Sequence, residues 1–319
     1  MVSQKGYHFI LFAAYSNKGQ TVMAELTKLL TDSMDHWLEQ NIDQFDLTKT
    51  LATSTYKSGI VKSFIELLYM DNMFYPSNIF GELTRKIEKI VKKTNAHYIL
   101  QDILIDNREY IAALLILVEY CQNHHLPIQT TKIQQLIKSG QFLLGRRVPY
   151  RLLEIKYQLK KAGFQENVSI LNTAEQVVIS NIDENWNSNG EDAYAITHSI
   201  FYLTDMGRKN IWQSSLGRRA RLVLGAIATN NLFQNNLDIA GESFLSLIFL
   251  ANFKTYMPWT VVRMFLDHAY KNQLSNGAFA GPDSPEGANL SDFEKCYHTT
   301  LVMKGAVYGI QQTYAKRYH

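Results

Sequence analysis

Two short runs hold the residues best suited to chemistry. Positions 191–205 read Glu-Asp-Ala-Tyr-Ala-Ile-Thr-His-Ser-Ile-Phe-Tyr-Leu-Thr-Asp, and positions 293–303 read Phe-Glu-Lys-Cys-Tyr-His-Thr-Thr-Leu-Val-Met. Each places a histidine before a hydroxyl residue and an apolar stretch, and the two histidines, His198 and His298, stand 100 residues apart. Imidazole changes protonation near neutral pH and ligates metals, so it suits proton transfer or coordination. Tyr194, His198, Phe201 and Asp205 recur at helical spacing and would share one helix face. If the two runs are neighbours, His198, His298, Asp192 and Cys296 would offer the nitrogen, oxygen and sulfur donors that a divalent metal such as zinc requires. The plainer alternative is a buried histidine hydrogen-bonded to Tyr194 or to a backbone carbonyl.

Two further patterns carry charge into apolar surroundings. Arg147, Arg151 and Glu154 recur at i, i+4 and i+7, with Tyr150 beside them. On a helix they would form a ladder that grips a carboxylate or phosphate, or an internal Arg151–Glu154 salt bridge. Burial of Arg151, with Glu154 or Glu242 as its partner, is the expectation. Asp238 and Glu242 lie one turn apart ahead of an almost wholly apolar run. Asp238 is placed to cap a helix, and Glu242 to act as an acid or base or to pair with an arginine. The catalytic candidates are therefore His198, His298, Glu242 and Asp205. The substrate-binding candidates are Arg147, Tyr150, Arg151, Glu154 and Tyr194.

The elements that must hold these residues read as helices. Apolar residues recur at helical spacing throughout, and only six prolines interrupt 319 residues. The pattern predicts helices over 20–41, 57–72, 77–93, 107–123, 129–140, 149–162, 166–183, 191–206, 209–231, 238–253, 258–274 and 291–314. Pro149 suits a first helical turn, and Ser291 with Glu294 matches a capping box. The loop 276–282 contains Phe279, placed to cover a pocket mouth. Helices starting near 57, 107, 149, 191, 238 and 291 are the more apolar, or carry polar residues in apolar settings. Those between them are amphipathic and more charged. Such alternation at a period of roughly 40–50 residues reads as a helical repeat. One domain over 1–319 follows, all-α, either an open solenoid or an α/α toroid or incomplete ring of about six helix pairs. Polar residues on the inner helices favour the ring.

Composition removes other classes. The net charge is only +3, and the densest basic run, Arg208, Lys209, Arg218, Arg219 and Arg221, reads as a solvated helix face and not as a nucleic-acid motif. Cys121 and Cys296 are far apart, which argues against a disulfide scaffold and fits a reducing cytoplasm. No apolar run reaches the ~18 residues of a membrane span. Motifs for dinucleotides, P-loop phosphates, zinc proteases and serine hydrolases are absent.

Two resemblances add to this reading. Ser291-Asp292-Phe293 followed by Tyr297-His298-Thr299 resembles a stretch in the β subunit of protein prenyltransferases, which are α/α toroids. That likeness implies a zinc-ligand role for His298. No matching Asp-x-Cys lies in an earlier repeat. The segments 149–154, 192–205 and 238–242 are similar to those of an all-helical bacterial family found beside natural-product and modified-peptide genes. This resemblance implies a biosynthetic context. Together these features predict an enzyme acting on a small molecule or peptide in a central cavity. The alternative is a non-catalytic module that binds a peptide or protein on a concave face.

Overall fold

The computed structural model describes residues 17–50, 57–96, 111–140, 147–164, 177, 190–254, 257–282 and 292–315. They form twelve α-helices and one short 3-10 turn over Ile42–Phe45, with no strand among the described residues. The helices are α1 (Asn17–Asn41), α2 (Leu47–Thr50), α3 (Lys57–Phe74), α4 (Leu83–Ala96), α5 (Ile111–Asn123) and α6 (Thr131–Lys138). They continue as α7 (Pro149–Lys161), α8 (Glu191–Leu203), α9 (Ser215–Phe233), α10 (Leu237–Leu250), α11 (Trp259–Asn272) and α12 (Phe293–Ala315). The predicted helix over 166–183 and the cap at Ser291 lie outside the described residues.

Local chemistry sets the boundaries. Pro149 occupies the first turn of α7, behind an extended Val148. Ser214 and Asn236 cap α9 and α10, their side chains accepting from the Gly217 and Ile239 amides. Several helices end in left-handed residues: His125 after α5, Gly163 after α7, Asn235 after α9 and Asn252 after α10. In each case an amide just beyond the last turn reaches back to a carbonyl five residues earlier, as in Phe164 N–H to Leu159 O at 3.0 Å. This bond satisfies a carbonyl that the helix leaves orphaned.

Six helices form a closed cycle of contacts. Helix α3 packs on α5, α5 on α7, α7 on α8, α8 on α10, α10 on α12, and α12 returns to α3. These are the six helices that begin at the apolar, polar-studded segments of the sequence. Helix α9 covers α8 and α10, while α1 and α11 cover α12. Every residue of α10 is buried, as its near-continuous apolar composition requires. Phe244 of α10 stacks on Phe265 of α11 with ring centroids 4.1 Å apart. Lys304 of α12 is fully buried, its ammonium bonded to Asp35 of α1.

Four members of the cycle share a direction. The C-terminal ends of α3, α8, α10 and α12 meet around a cleft of about 160 Å³ lined by Phe74, Met206, Phe253 and Gln312, among others. Their N-terminal ends therefore gather on the opposite side, with His298 in the second turn of α12 and His198 near the middle of α8.

Two expectations fail at this level. Phe279 is fully buried, its amide bonded to Thr300 Oγ1 at 2.9 Å, so it belongs to the core and covers no pocket mouth. Helix α8 stops at Leu203, not at 206. Thr204 Oγ1 turns back to the Ile200 carbonyl at 2.7 Å, and Asp205, Met206 and Gly207 all take positive φ.

Candidate functional site

The site assembles from four helices of the cycle. Glu66 comes from α3, Tyr194, Thr197 and His198 from α8, Asp238 and Glu242 from α10, and His298 from α12. His298 lies between two carboxylates: Nδ1 is 2.8 Å from Glu66 Oε2, and Nε2 is 3.2 Å from Asp238 Oδ1. The first contact is a hydrogen bond. The second is an ion pair only, because Asp238 Oδ1 accepts no hydrogen bond. Asp238 Oδ2 accepts one from the Tyr194 hydroxyl. Glu242 Oε2 accepts from Thr197 Oγ1 at 2.6 Å and lies 3.6 Å from His198 Nδ1.

Electrostatics divides these groups. Burial alone would lower the pKa of His298, but Glu66 and Asp238 outweigh it and push the value up to about 10. Burial would raise the carboxyl of Glu66, yet the adjacent imidazolium holds it below the usual range. Glu242 goes the other way. Its burial raises it, His198 offsets only part of that, and Asp238 adds to the rise.

His198 is in a different state of bonding. Its Nδ1 is 2.9 Å from the Tyr194 carbonyl oxygen. A carbonyl only accepts, so Nδ1 carries hydrogen, and in the neutral ring Nε2 keeps its lone pair. This bond to a backbone carbonyl is the plainer arrangement foreseen for a histidine in this run. It also fixes the tautomer. Four aromatic rings surround the imidazole, with centroids at 6.3 Å for Tyr150, 6.3 Å for Tyr194, 5.6 Å for Phe201 and 6.5 Å for Tyr202.

The sequence-derived candidates separate accordingly. His198, His298, Glu242, Tyr194 and Tyr150 come together, with Asp238 as an ion-pair partner as well as a first-turn residue. Arg151 pairs with Glu154 at 2.9 Å as expected, but its side chain is 52% exposed, which corrects the expected burial. The guanidinium lies over the Tyr150 ring at 5.1 Å, so it joins the edge of the aromatic group. Arg147 precedes the first turn of α7, so the expected i, i+4, i+7 ladder does not form.

Asp205 leaves the His198 face because α8 has already ended. It accepts from the Tyr157 hydroxyl at 2.9 Å and faces Lys161 at 3.5 Å, which in turn lies 3.7 Å from Glu119. Burial pushes Glu119 up to about 7 in this second cluster. The proposed metal set is also corrected. Asp192 is in the first turn of α8, Cys296 is a buried free thiol, and His298 is occupied by two carboxylates. Among the described residues, no three His, Cys, Asp or Glu side chains are grouped to hold a metal ion.

Glu66 is the residue that reading the sequence missed. Its hydrogen bond to His298 spans 232 positions. A signal existed: Glu66 interrupts Phe64-Ile65 and Leu67-Leu68, as Glu242 interrupts its own apolar run.

A family model described as a domain of unknown function (DUF6895) matches residues 32–308, most of the chain. No curated protein and no solved structure matches the chain. No helix among the described residues is long and apolar enough to cross a membrane.

Proposed function

For a chain that belongs to the DUF6895 family, we propose an enzyme that performs acid–base chemistry on a small molecule or peptide held within a ring of helices. The ring is an α/α toroid in this reading, supported by the closed cycle of α3, α5, α7, α8, α10 and α12. A biosynthetic role agrees with the natural-product likeness of segments 149–154, 192–205 and 238–242.

The observation that carries the proposal is the opposite bonding of the two histidines. His198 donates through Nδ1 to a backbone carbonyl, so its Nε2 is the proton acceptor. His298 has a carboxylate at each ring nitrogen and keeps its proton, so it supplies a fixed positive charge. Glu242, whose carboxyl burial raises above the ordinary range, is the third member, 3.6 Å from His198 Nδ1. A structural core would need neither two histidines in different states nor three carboxyl groups from two helices beside them.

The test is incubation of the purified chain with a metabolite and peptide extract, followed by mass spectrometry and chromatography. The wild type should convert at least one compound, and His198→Gln should slow that conversion by about 10²–10⁴-fold, the worth of a positioned base. A compound retained unchanged by both proteins would contradict the enzyme and favour the non-catalytic binding module. Equal conversion by the variant would remove His198 from the chemistry.

A further inference from the structure

We infer that the ligand of this site presents an organic cation, a primary or secondary ammonium group, to the carboxylates of α10. This rests on the proposed acid–base reading and adds the substrate class. Three carboxyl groups, from Glu66, Asp238 and Glu242, meet beside the imidazolium of His298, and Lys62 pairs with the outer oxygen of Glu66 at 3.6 Å, which leaves Asp238 and Glu242 as the carboxyl groups open to a further cation. Asp238 is 2% exposed, yet its Oδ1 accepts no hydrogen bond. The His298 ion pair at 3.2 Å is its one charged contact there among the described residues, and a buried carboxylate oxygen that accepts no hydrogen bond is costly, so an ammonium N–H would supply the missing bond.

The aromatic rings point to the same chemistry by an independent route. Tyr150, Tyr194, Phe201 and Tyr202 surround His198 within 6.5 Å. Ring faces attract cations, and one of these rings already carries the Arg151 guanidinium. An ammonium between the aromatic group and Asp238 would meet His198 as the acceptor. The proton would pass from nitrogen to His198 Nε2, leaving a neutral amine with its lone pair exposed and an imidazolium on α8. An anionic ligand would leave Asp238 Oδ1 without a hydrogen-bond donor instead.

The test uses three probes with one phenyl tail and different heads: phenethylammonium, 2-phenylethanol and 3-phenylpropanoate. Binding to the full chain is followed through the histidine ring signals by NMR. The ammonium should bind at least about tenfold more tightly than the alcohol, a difference of roughly 1.4 kcal/mol, and the carboxylate should not bind. Asp238→Asn should erase the preference while leaving the weak alcohol binding, and Glu242→Gln provides the same test if the first variant does not fold. Equal or tighter binding of the alcohol or carboxylate, or no binding of the ammonium at millimolar concentration, would overturn the inference. Cation-exchange fractionation of the metabolite extract separates this claim from its parent. Conversion confined to the unretained fraction would overturn the cationic substrate and leave the acid–base reading standing. Conversion in no fraction would overturn both.

Discussion

His298 shows how a single residue's state follows from its neighbours. An imidazole ordinarily titrates near 6.5, and this one is pushed up to about 10 by Glu66 and Asp238 against the opposing effect of burial. The folded chain therefore holds a proton that the unfolded chain releases. Stability from this group is complete below about pH 6.5 and is lost as pH rises toward 10. His298→Gln should lower stability by about 1.5–3 kcal/mol at pH 6, the range for a hydrogen bond to a charged group. It should also flatten the decline above neutrality in thermal melts run across pH. An unchanged pH profile would mean that His298 is not the protonated partner. Glu242 gives a complementary case. Its folded value is raised above the ordinary 4.5, so its contribution too is lost as pH rises through the folded value. Glu242→Gln keeps an acceptor for Thr197 and cannot ionise. It should leave acid stability nearly unchanged and raise stability at alkaline pH, measured in the same melts.

At the scale of elements, helix packing was the most legible feature and helix ends the least. Apolar spacing located α3, α5, α7, α8, α10 and α12, because a helix face that must be buried leaves its period in the sequence. The end of α8 was not legible. Thr204 reads as one more helical residue until its hydroxyl is seen bonding back to Ile200, and the error moved Asp205 onto the wrong face. Arg147 was misplaced for a similar reason, since Pro149 starts the helix and leaves Arg147 before it. Close approach between α10 and α12 supplies a test of packing. A Cβ at Gly241 would lie 2.8 Å from Val302 Cγ1 and 3.1 Å from Met303 Sδ. Valine has little rotamer freedom in a helix, so Gly241→Ala should destabilise by about 1–3 kcal/mol. Gly225 in α9 has nothing within 4 Å of such an atom, and Gly225→Ala should stabilise by roughly 0.5–1 kcal/mol. Denaturant melts of the two variants check the contrast. Equal effects would mean that α10 and α12 do not pack as described.

For the whole molecule, the decisive contacts join distant parts of the chain. Glu66 meets His298 across 232 positions, and α3 closes on α12. No local pattern encodes such a meeting, which is why the carboxylate beside His298 escaped a reading that had found both histidines, Tyr194 and Glu242. A metal site was inferred from donor types alone. The structure instead pairs each ring nitrogen of His298 directly with a carboxylate. The proposed toroid predicts a compact particle, with a radius of gyration of about 20 Å for a folded chain of this length. It also predicts a single cooperative unfolding transition, since opening the cycle exposes α3 and α12 together. Small-angle scattering and calorimetry measure both. A larger radius with early loss of the first helices would indicate an open solenoid that frays from its ends.

The central claim is that two histidines within one helix cycle hold opposite roles, and long-range ¹H–¹⁵N NMR of histidine-labelled protein tests it most directly. Across a titration from pH 5 to 10, His298 should keep hydrogen on both ring nitrogens well above neutrality. In its neutral form, His198 should show hydrogen on Nδ1 and an unprotonated Nε2. A His298 that loses its proton near 6.5, or a neutral His198 with hydrogen on Nε2, would contradict the account.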